Sequence, residues 1–138
     1  MSLFLISGIS FWVFFRKDDF NIDPEEIASK INSKTKAIIP VHWAGRSCEM
    51  EKINKIASDN NLYVIEDACH AIQGEYKSKR CGSLGDLGCF SFHPLKNLNV
   101  WGDGGIITTS NEDLANKLKL IRNHGLINRN TCIAVSYT

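Results

Sequence analysis

Leu62-Tyr63-Val64-Ile65-Glu66-Asp67 is the stretch that decides the fold, because a short apolar run that ends in two carboxylates is typical of a buried β-strand. Residues 47–57 before it carry apolar side chains at helical spacing, which predicts a helix that begins at Ser47 and fades at Asp59-Asn60-Asn61. A second apolar run, Ala37-Ile38-Ile39-Pro40-Val41, precedes this helix and predicts another strand. Strand, helix and strand in this order indicate two parallel strands joined by a crossover helix.

Two more helices and two more strands extend this pattern along the chain. The helices have polar caps and apolar residues on one face, and they are predicted to begin after Asp23 and after Ser110, with Gly125 ending the second. The strands are short apolar runs at residues 89–92 and 106–109. The sequence therefore predicts an α/β fold whose sheet is parallel at least in its first part.

Composition and charge exclude several classes of protein. The 138 residues suffice for one domain or a piece of a larger one, and the formal net charge of +1 gives no reason to expect a nucleic acid or an acidic membrane as a partner. The five cysteines are odd in number and include no C-x-x-C pair, which argues against a disulfide framework or a zinc ribbon and favours reduced thiols in the cytoplasm. The histidines lack metal-ligand spacing, so no metal site is predicted.

The N-terminal residues 2–15 form an almost continuous apolar run that is followed by Arg16 and Lys17. This run is shorter than the roughly 20 residues that cross a bilayer. A secretory signal would carry its positive charge before the apolar run, and here the charge follows it. We therefore expect a buried strand, or a strand pair broken at Gly8, rather than a membrane anchor.

Two polar side chains follow predicted strands directly, at the positions where open α/β sheets bind ligands. Asp67 ends one strand, although taken alone it fits the N-cap of a following helix better. Lys96 follows the next strand, and a lysine held near a cleft can lose its proton and attack a carbonyl carbon, whereas an isolated lysine is normally a solvated surface group. The loop Gly102-Asp103-Gly104-Gly105 lacks the spacing of a nucleotide-binding motif, so alone it predicts a tight turn. Trp43 and Trp101 are interpreted as packing residues, with stacking on a sugar or nucleotide as the alternative.

Four uncommon segments occur in an order that matches a known family. They are Glu66-Asp67-Ala68-Cys69-His70-Ala71, Gly82-Ser83-Leu84-Gly85-Asp86, Cys89-Phe90-Ser91-Phe92-His93-Pro94-Leu95-Lys96-Asn97-Leu98 and Gly102-Asp103-Gly104-Gly105. With them, the chain from about Phe20 to Gly125 closely resembles the sugar aminotransferases of the DegT/DnrJ/EryC1/StrS family. The resemblance implies part of the large domain of a fold-type-I transferase that depends on pyridoxal 5'-phosphate (PLP), an αβα sandwich with a mostly parallel sheet.

The resemblance also implies a role for each residue that matches the family's motifs. Lys96 matches the lysine that bonds covalently to PLP, and Asp67 matches the carboxylate that pairs with the pyridine nitrogen of the cofactor. Ser91 matches a hydroxyl that binds the cofactor phosphate, and His70 stands where the family has Gln or His beside the cofactor ring. The carboxylate would keep the ring nitrogen protonated so that the ring accepts electrons, and the lysine amine would act as general base and acid.

The implied reaction is a two-stage transfer of an amino group in nucleotide-sugar and polysaccharide biosynthesis. Glutamate or glutamine would donate the nitrogen, and a keto sugar on a nucleotide diphosphate would receive it. A homodimer is expected, because in the family a neighbouring subunit completes the site. A cytoplasmic enzyme is expected, with neither nucleic acid nor membrane as a partner.

The chain also departs from the family. Residues 1–16 show no resemblance and are interpreted as an atypical apolar segment, whereas residues 17–138 are interpreted as a partial PLP-binding large domain. Counterparts of the family's N-terminal phosphate-binding segment and small C-terminal domain are not recognised. We therefore expect a fragment with impaired activity. The alternatives are a non-catalytic relative of the same fold, an inactive truncated product, a nucleotide-binding module without cofactor and a membrane-anchored protein.

Overall fold

The structure is a computed structural model that describes the backbone of residues 2–6, 9–128 and 131–132 and the side chains of residues 14–126 and 131. It contains two compact units, residues 1–108 and residues 109–138. Along the chain, the first unit consists of β1 (Ser2–Ile6), β2 (Ile9–Val13), α1 (Pro24–Lys30), β3 (Ala37–Ile38), a 3₁₀ turn (Trp43–Gly45), α2 (Met50–Asp59), β4 (Tyr63–Asp67), β5 (Glu75–Tyr76), β6 (Lys79–Arg80), β7 (Leu87–Ser91) and β8 (Gly105–Thr108).

A four-stranded sheet with the order β3-β4-β7-β8 forms the centre of the first unit. β3, β4 and β7 are parallel, and β8 pairs antiparallel with β7 at the edge. This arrangement confirms the predicted α/β fold with a sheet that is parallel in its first part. It also brings the carboxyl ends of β4 and β7 side by side, where a ligand cleft is expected.

Helices α1 and α2 pack on one face of this sheet. α1 begins as predicted, because the Asp23 side chain accepts a hydrogen bond from the Glu25 N–H. The apolar core joins buried side chains of both helices to those of β3 and β4, namely Ile27, Ile38, Cys48, Met50, Ile53, Ala57 and Val64. This core fixes the sheet from one side.

The predicted start of α2 at Ser47 is wrong by three residues, since the helix begins at Met50. The Ser47 hydroxyl donates to the neighbouring carbonyl of Cys48 and does not cap the helix. Residues 46–47 are held instead by Asn21, a buried side chain that donates to the carbonyls of both residues.

The strand predicted over residues 37–41 is also shorter than expected. Pro40 has no N–H to give to the ladder, so regular pairing stops at Ile38. The Pro40 carbonyl still accepts the Asp67 N–H at 2.9 Å, and Val41 forms a parallel bridge with Asp67. The end of β4 is therefore held on both sides, by the segment after β3 and by β7.

The N-terminal run forms the antiparallel pair β1–β2, as the strand-pair alternative predicted. The predicted break at Gly8 and the predicted burial of these side chains lie outside the described residues. In the described part of the chain, no helix combines the length and apolar character that crossing a membrane requires.

The second unit contains α3 (Glu112–Arg122), β9 (Leu126–Asn128) and β10 (Thr131–Cys132). The predicted cap at Ser110 is wrong, because Asn111 is the N-cap and its side chain accepts the Leu114 N–H at 3.0 Å. α3 ends at Arg122, three residues before the predicted end at Gly125. His124 and Gly125 both have positive φ, 55° and 76°, and donate their N–H groups to the carbonyls of Ile121 and Leu120 in the last turn.

Candidate active site

Asp67 is the last residue of β4 and lies directly opposite Cys89 of β7. Side chains alternate between the two faces of a sheet, so Asp67, Cys89 and Ser91 share one face, with Ser91 about 7 Å farther along β7. α2 packs on the other face, where Val64 and Glu66 point. The parallel pairing thus places two predicted site residues, Asp67 and Ser91, on one face of the sheet at the carboxyl ends of β4 and β7.

The predicted N-cap role of Asp67 is wrong, since a turn and not a helix follows it in the structure. Its Oδ1 accepts the N–H of Cys69 at 3.1 Å, which fixes the carboxylate in a tight local turn. Its backbone N–H and carbonyl are both paired to the segment after β3, to Pro40 and His42. Asp67 is therefore a well-anchored carboxylate at the end of a central strand.

Lys96 lies in the loop that follows β7, and this loop is built around His93. The His93 carbonyl accepts the Lys96 N–H at 2.8 Å, and His93 Nδ1 accepts the Leu95 N–H at 3.2 Å. Ser91 Oγ accepts the His93 N–H at 3.3 Å. His93 thus bonds both to the Ser91 hydroxyl and to the Lys96 backbone, so both residues are held by one hydrogen-bonded turn.

The Cys69 thiol lies among Asp67, Lys96 and Cys89, all of which act on it electrostatically. Burial raises the pKa of Cys69 to about 11, with a further contribution from its hydrogen bond to Asp67 and an opposing one from Lys96. Cys69 also links these residues in space, because it lines the same cleft as Lys96 and its N–H is bonded to the Asp67 carboxylate. The ion pairs of the described residues do not include a direct one between them.

A cleft of about 490 Å³ opens beside these residues. Its lining contains Lys96, Ser91, His70 and His93 but no Asp or Glu, so the predicted site residue Asp67 lies outside the lining. This volume lies within the range of small-molecule sites. Basic and hydroxyl groups without an opposing acid suit an anionic ligand such as a phosphate ester, and the amine beside them suits an aldehyde. The residues present therefore fit PLP.

His70 is exposed at the rim of this cleft, where its ring makes an edge contact with Trp43 at a centroid distance of 5.6 Å. Trp43 is 48% exposed, whereas Trp101 is fully exposed and makes the packing interpretation wrong for that residue. Trp43 is carried by a turn in which Ala44 adopts a φ of 50°, a left-handed conformation that is uncommon for a residue with a Cβ. Asn21 Oδ1 holds this turn by accepting the Trp43 N–H.

Glu66, the residue before Asp67, was not predicted to belong to the site. Its side chain is completely buried and accepts four hydrogen bonds. The donors are His42 Nε2 and the N–H groups of Gly82, Leu84 and Gly85, at 2.6–2.9 Å. The sequence did contain one indication: two adjacent carboxylates in a strand lie on opposite faces of the sheet, so only one of them can lie on the face that bears Ser91.

The protonation of this buried pair follows from its contacts. Burial would raise the pKa of Glu66, but the hydrogen bonds from His42 and the three N–H groups outweigh it and lower the pKa. For His42, burial opposes protonation, whereas hydrogen bonds to Cys48, Cys81 and Glu66 favour it and raise the pKa. We nevertheless expect a neutral His42 that donates from Nε2, because the Cys48 N–H already points at Nδ1, where a second proton would have to bind.

The cysteines whose side chains the structure describes, Cys48, Cys69, Cys81 and Cys89, are free thiols. Across the described residues, groups of three or more His, Cys, Asp or Glu side chains arranged to hold a metal ion are absent. The polar groups of the candidate site are thus the amine, hydroxyl, imidazole and carboxylate groups named above.

The chain is similar to known proteins over most of its length. The sequence model of the DegT/DnrJ/EryC1/StrS aminotransferase family matches residues 10–135. The chain is 55% identical over 106 residues to the dTDP-3-amino-3,6-dideoxy-alpha-D-galactopyranose transaminase of Aneurinibacillus thermoaerophilus, a match that covers 77% of this chain and 29% of that protein. It is 45% identical over 107 residues to the GDP-perosamine synthase of Caulobacter vibrioides, covering 78% of this chain and 29% of that protein.

The structure is similar to that of NtdA from Bacillus subtilis with bound cofactor PMP. The TM-score is 0.84 at 37% sequence identity, and the match covers 93% of this chain and 29% of that chain. The chain therefore spans less than a third of the length of these curated relatives and of this solved structure.

Proposed function

Because the chain belongs to the DegT/DnrJ/EryC1/StrS aminotransferase family, we propose that it carries the PLP-binding part of an aminotransferase that acts on nucleotide-linked keto sugars. The family is PLP-dependent, and the α/β fold with its mostly parallel sheet matches part of the fold-type-I aminotransferase structures, as predicted. The observation that supports the proposal is that Ser91 and Lys96 line one cleft, while Asp67 ends the adjacent parallel strand opposite Cys89.

Four residues would hold the cofactor in this proposal. Lys96 would bond to its aldehyde carbon, Ser91 would donate a hydrogen bond to its phosphate, and His70 would lie beside its ring. Asp67 would pair with its pyridine nitrogen. When bound, PLP supplies an electron sink that makes the α-carbon of an amine acidic.

The role of each side chain depends on the hydrogen bonds that hold it in place. Asp67 would keep a proton on the ring nitrogen of bound PLP, and the hydrogen bond from the Cys69 N–H would hold the carboxylate in place. The Lys96 amine would act as general base and acid. The turn at His93 keeps that amine within reach of the cleft.

The substrate class is proposed from the relatives. The transaminase of Aneurinibacillus thermoaerophilus and the synthase of Caulobacter vibrioides are named for amino sugars on dTDP and GDP. We propose a nucleotide-diphosphate keto sugar as the acceptor and glutamate or glutamine as the donor. We further propose that residues 17–138 form part of a PLP-binding large domain, that the enzyme is a homodimer and that it works in the cytoplasm.

One observation favours reduced activity of this chain by itself. The face that bears Asp67 is poorly covered, since Tyr63 on the same face is 58% exposed and Leu95 beside the cleft is 88% exposed. Water that reaches a charged site screens its interactions. The second candidate is therefore a non-catalytic relative of the same fold or an inactive truncated product.

An amino-transfer assay distinguishes an active aminotransferase from a non-catalytic relative or an inactive truncated product. Purified protein is incubated with PLP, isotopically labelled glutamate or glutamine, and a set of dTDP-, GDP- and UDP-linked keto sugars, and the nucleotide-linked amino sugar is detected by mass spectrometry. We expect labelled product from at least one sugar, formed slowly, and none from Lys96→Ala. The control Lys79→Ala changes an exposed lysine of the β5–β6 hairpin and should leave the product unchanged. Equal product from Lys96→Ala would refute the proposed role of Lys96.

A further inference from the structure

We propose that Glu66 is a positioning residue that clamps the start of β7 onto β4 and so sets the distance between Asp67 and the Ser91–Lys96 segment. The inference rests on the proposed function, because it assigns a role in cofactor binding to a residue that faces away from the cofactor. The carboxylate itself does not touch the cleft.

The clamp is built from both carboxylate oxygens. Oε1 accepts the N–H groups of Leu84 and Gly85 at 2.6 and 2.7 Å. Oε2 accepts the Gly82 N–H at 2.7 Å and His42 Nε2 at 2.9 Å. Glu66 thus joins β4 to the turn that leads into β7 and to the segment that follows β3.

The 82–85 turn packs closely against the backbone of β7, so its position determines the position of β7. Gly88, which lies opposite Glu66 in the strand pair, contacts Gly82 so closely that a Cβ on Gly88 would collide with the Gly82 backbone. Thr108 Oγ1 donates to the Gly82 carbonyl at 2.5 Å and lies 3.3 Å from the Gly88 carbonyl. A shift of the 82–85 turn therefore has to shift β7, which ends in Ser91.

Only a carboxylate satisfies this arrangement. Four donors face two oxygens, and a glutamine would turn an NH₂ group toward two of them. If the NH₂ group faced His42, that ring would have to accept at Nε2 while its Nδ1 already accepts the Cys48 N–H. Either orientation leaves buried donors without an acceptor, which is costly in a protein interior.

The test compares Glu66→Gln with the matched control Glu75→Gln, an exposed glutamate on β5. Folding is checked by circular dichroism, and amide exchange is measured at Gly82, Leu84 and Gly85 without cofactor. We expect exchange at these three amides to rise about tenfold or more in Glu66→Gln, and the Kd for PLP to rise about tenfold or more, because losing buried acceptors weakens the clamp. Both quantities should stay at wild-type values in Glu75→Gln.

Each other outcome also has a defined meaning. Faster exchange with an unchanged Kd would overturn the positioning role and leave Glu66 purely structural. If the wild type binds no PLP, the proposed function fails. The clamp is then tested by the rate at which Lys96 is acylated, measured relative to Lys34. This ratio should change in Glu66→Gln and stay at the wild-type value in Glu75→Gln. If Glu66→Gln does not fold, Thr108→Val replaces it and should raise the Kd in the same direction by a smaller factor. An unchanged Kd in folded Thr108→Val would then count against the clamp.

Discussion

Gly88→Ala is the substitution whose cost follows most directly from the geometry. A Cβ on Gly88 would lie 2.6 Å from Thr108 Oγ1 and still closer to the backbone of Gly82, whereas real Cβ atoms essentially never approach a neighbour within 3.0 Å. The Gly82 backbone cannot swing aside, because its N–H is bonded to Glu66 and its carbonyl to Thr108. The added methyl group must therefore push β7 away from the turn.

Overpacking of this kind costs about 1–3 kcal/mol and sometimes more, and we expect the upper end, about 3 kcal/mol, because backbone has to move. With an m-value of about 2 kcal/mol/M, the midpoint of urea unfolding should fall by roughly 1.5 M. The assay is urea unfolding followed by circular dichroism. Gly104→Ala is the control, because its nearest neighbour is the terminal Cγ2 of the exposed Val100 side chain at 2.8 Å, which can rotate away. Its cost should stay below about 1 kcal/mol. Equal midpoints for Gly88→Ala and the wild type would refute the close packing between the turn and β7.

Two further predictions concern ionisation. The pKa of Glu66 is lowered from 4.5, so its contribution to stability is complete above that pH and is lost as the pH falls through the lower folded-state pKa. The free energy of unfolding, measured by urea titration at successively lower pH, should therefore decline more steeply below 4.5 in the wild type than in folded Glu66→Gln, and parallel curves would contradict this. The pKa of Cys69, raised from 9.0 to about 11, predicts about 100-fold less thiolate and a correspondingly slower reaction with iodoacetamide than an unperturbed thiol shows. Peptide mass spectrometry measures that rate, and a normal rate at Cys69 would show that the thiol is not enclosed beside Asp67.

The central strands and the parallel pairing of the first of them could be predicted from the sequence, because each strand is an apolar run with a helix or a glycine-rich turn at its boundary. The order of the strands in the sheet and the antiparallel direction of β8 were not predicted. Asp67 and Lys96 each come at or after the end of such a run. Parallel pairing of the two strands is therefore enough to place both residues at the same end of the sheet. Element boundaries were less accurate. Ser47 and Ser110 are good caps by residue type. The Ser47 hydroxyl instead donates to the Cys48 carbonyl, and Asn111 takes the place of Ser110 by accepting the Leu114 N–H.

The Glu66 clamp could not be predicted, because its donors come from segments 16–24 residues away that no local pattern connects. The hairpin β5–β6 was missed for a different reason. Its turn residues, Lys77 and Ser78, both have positive φ without being Gly or Asn, so the usual hairpin signal is absent. Both the clamp and the hairpin depend on tertiary contacts or backbone conformations that the local sequence does not indicate.

The measurement that tests the central claim most directly is the site of covalent attachment of PLP. The protein is incubated with PLP, reduced with borohydride, digested and mapped by mass spectrometry, with Lys96→Ala treated in parallel. We predict that the pyridoxyl group is found on the peptide that contains Lys96 and that Asp67→Asn lowers its yield. A label spread over exposed lysines such as Lys34 and Lys79, with none on Lys96, would contradict the account.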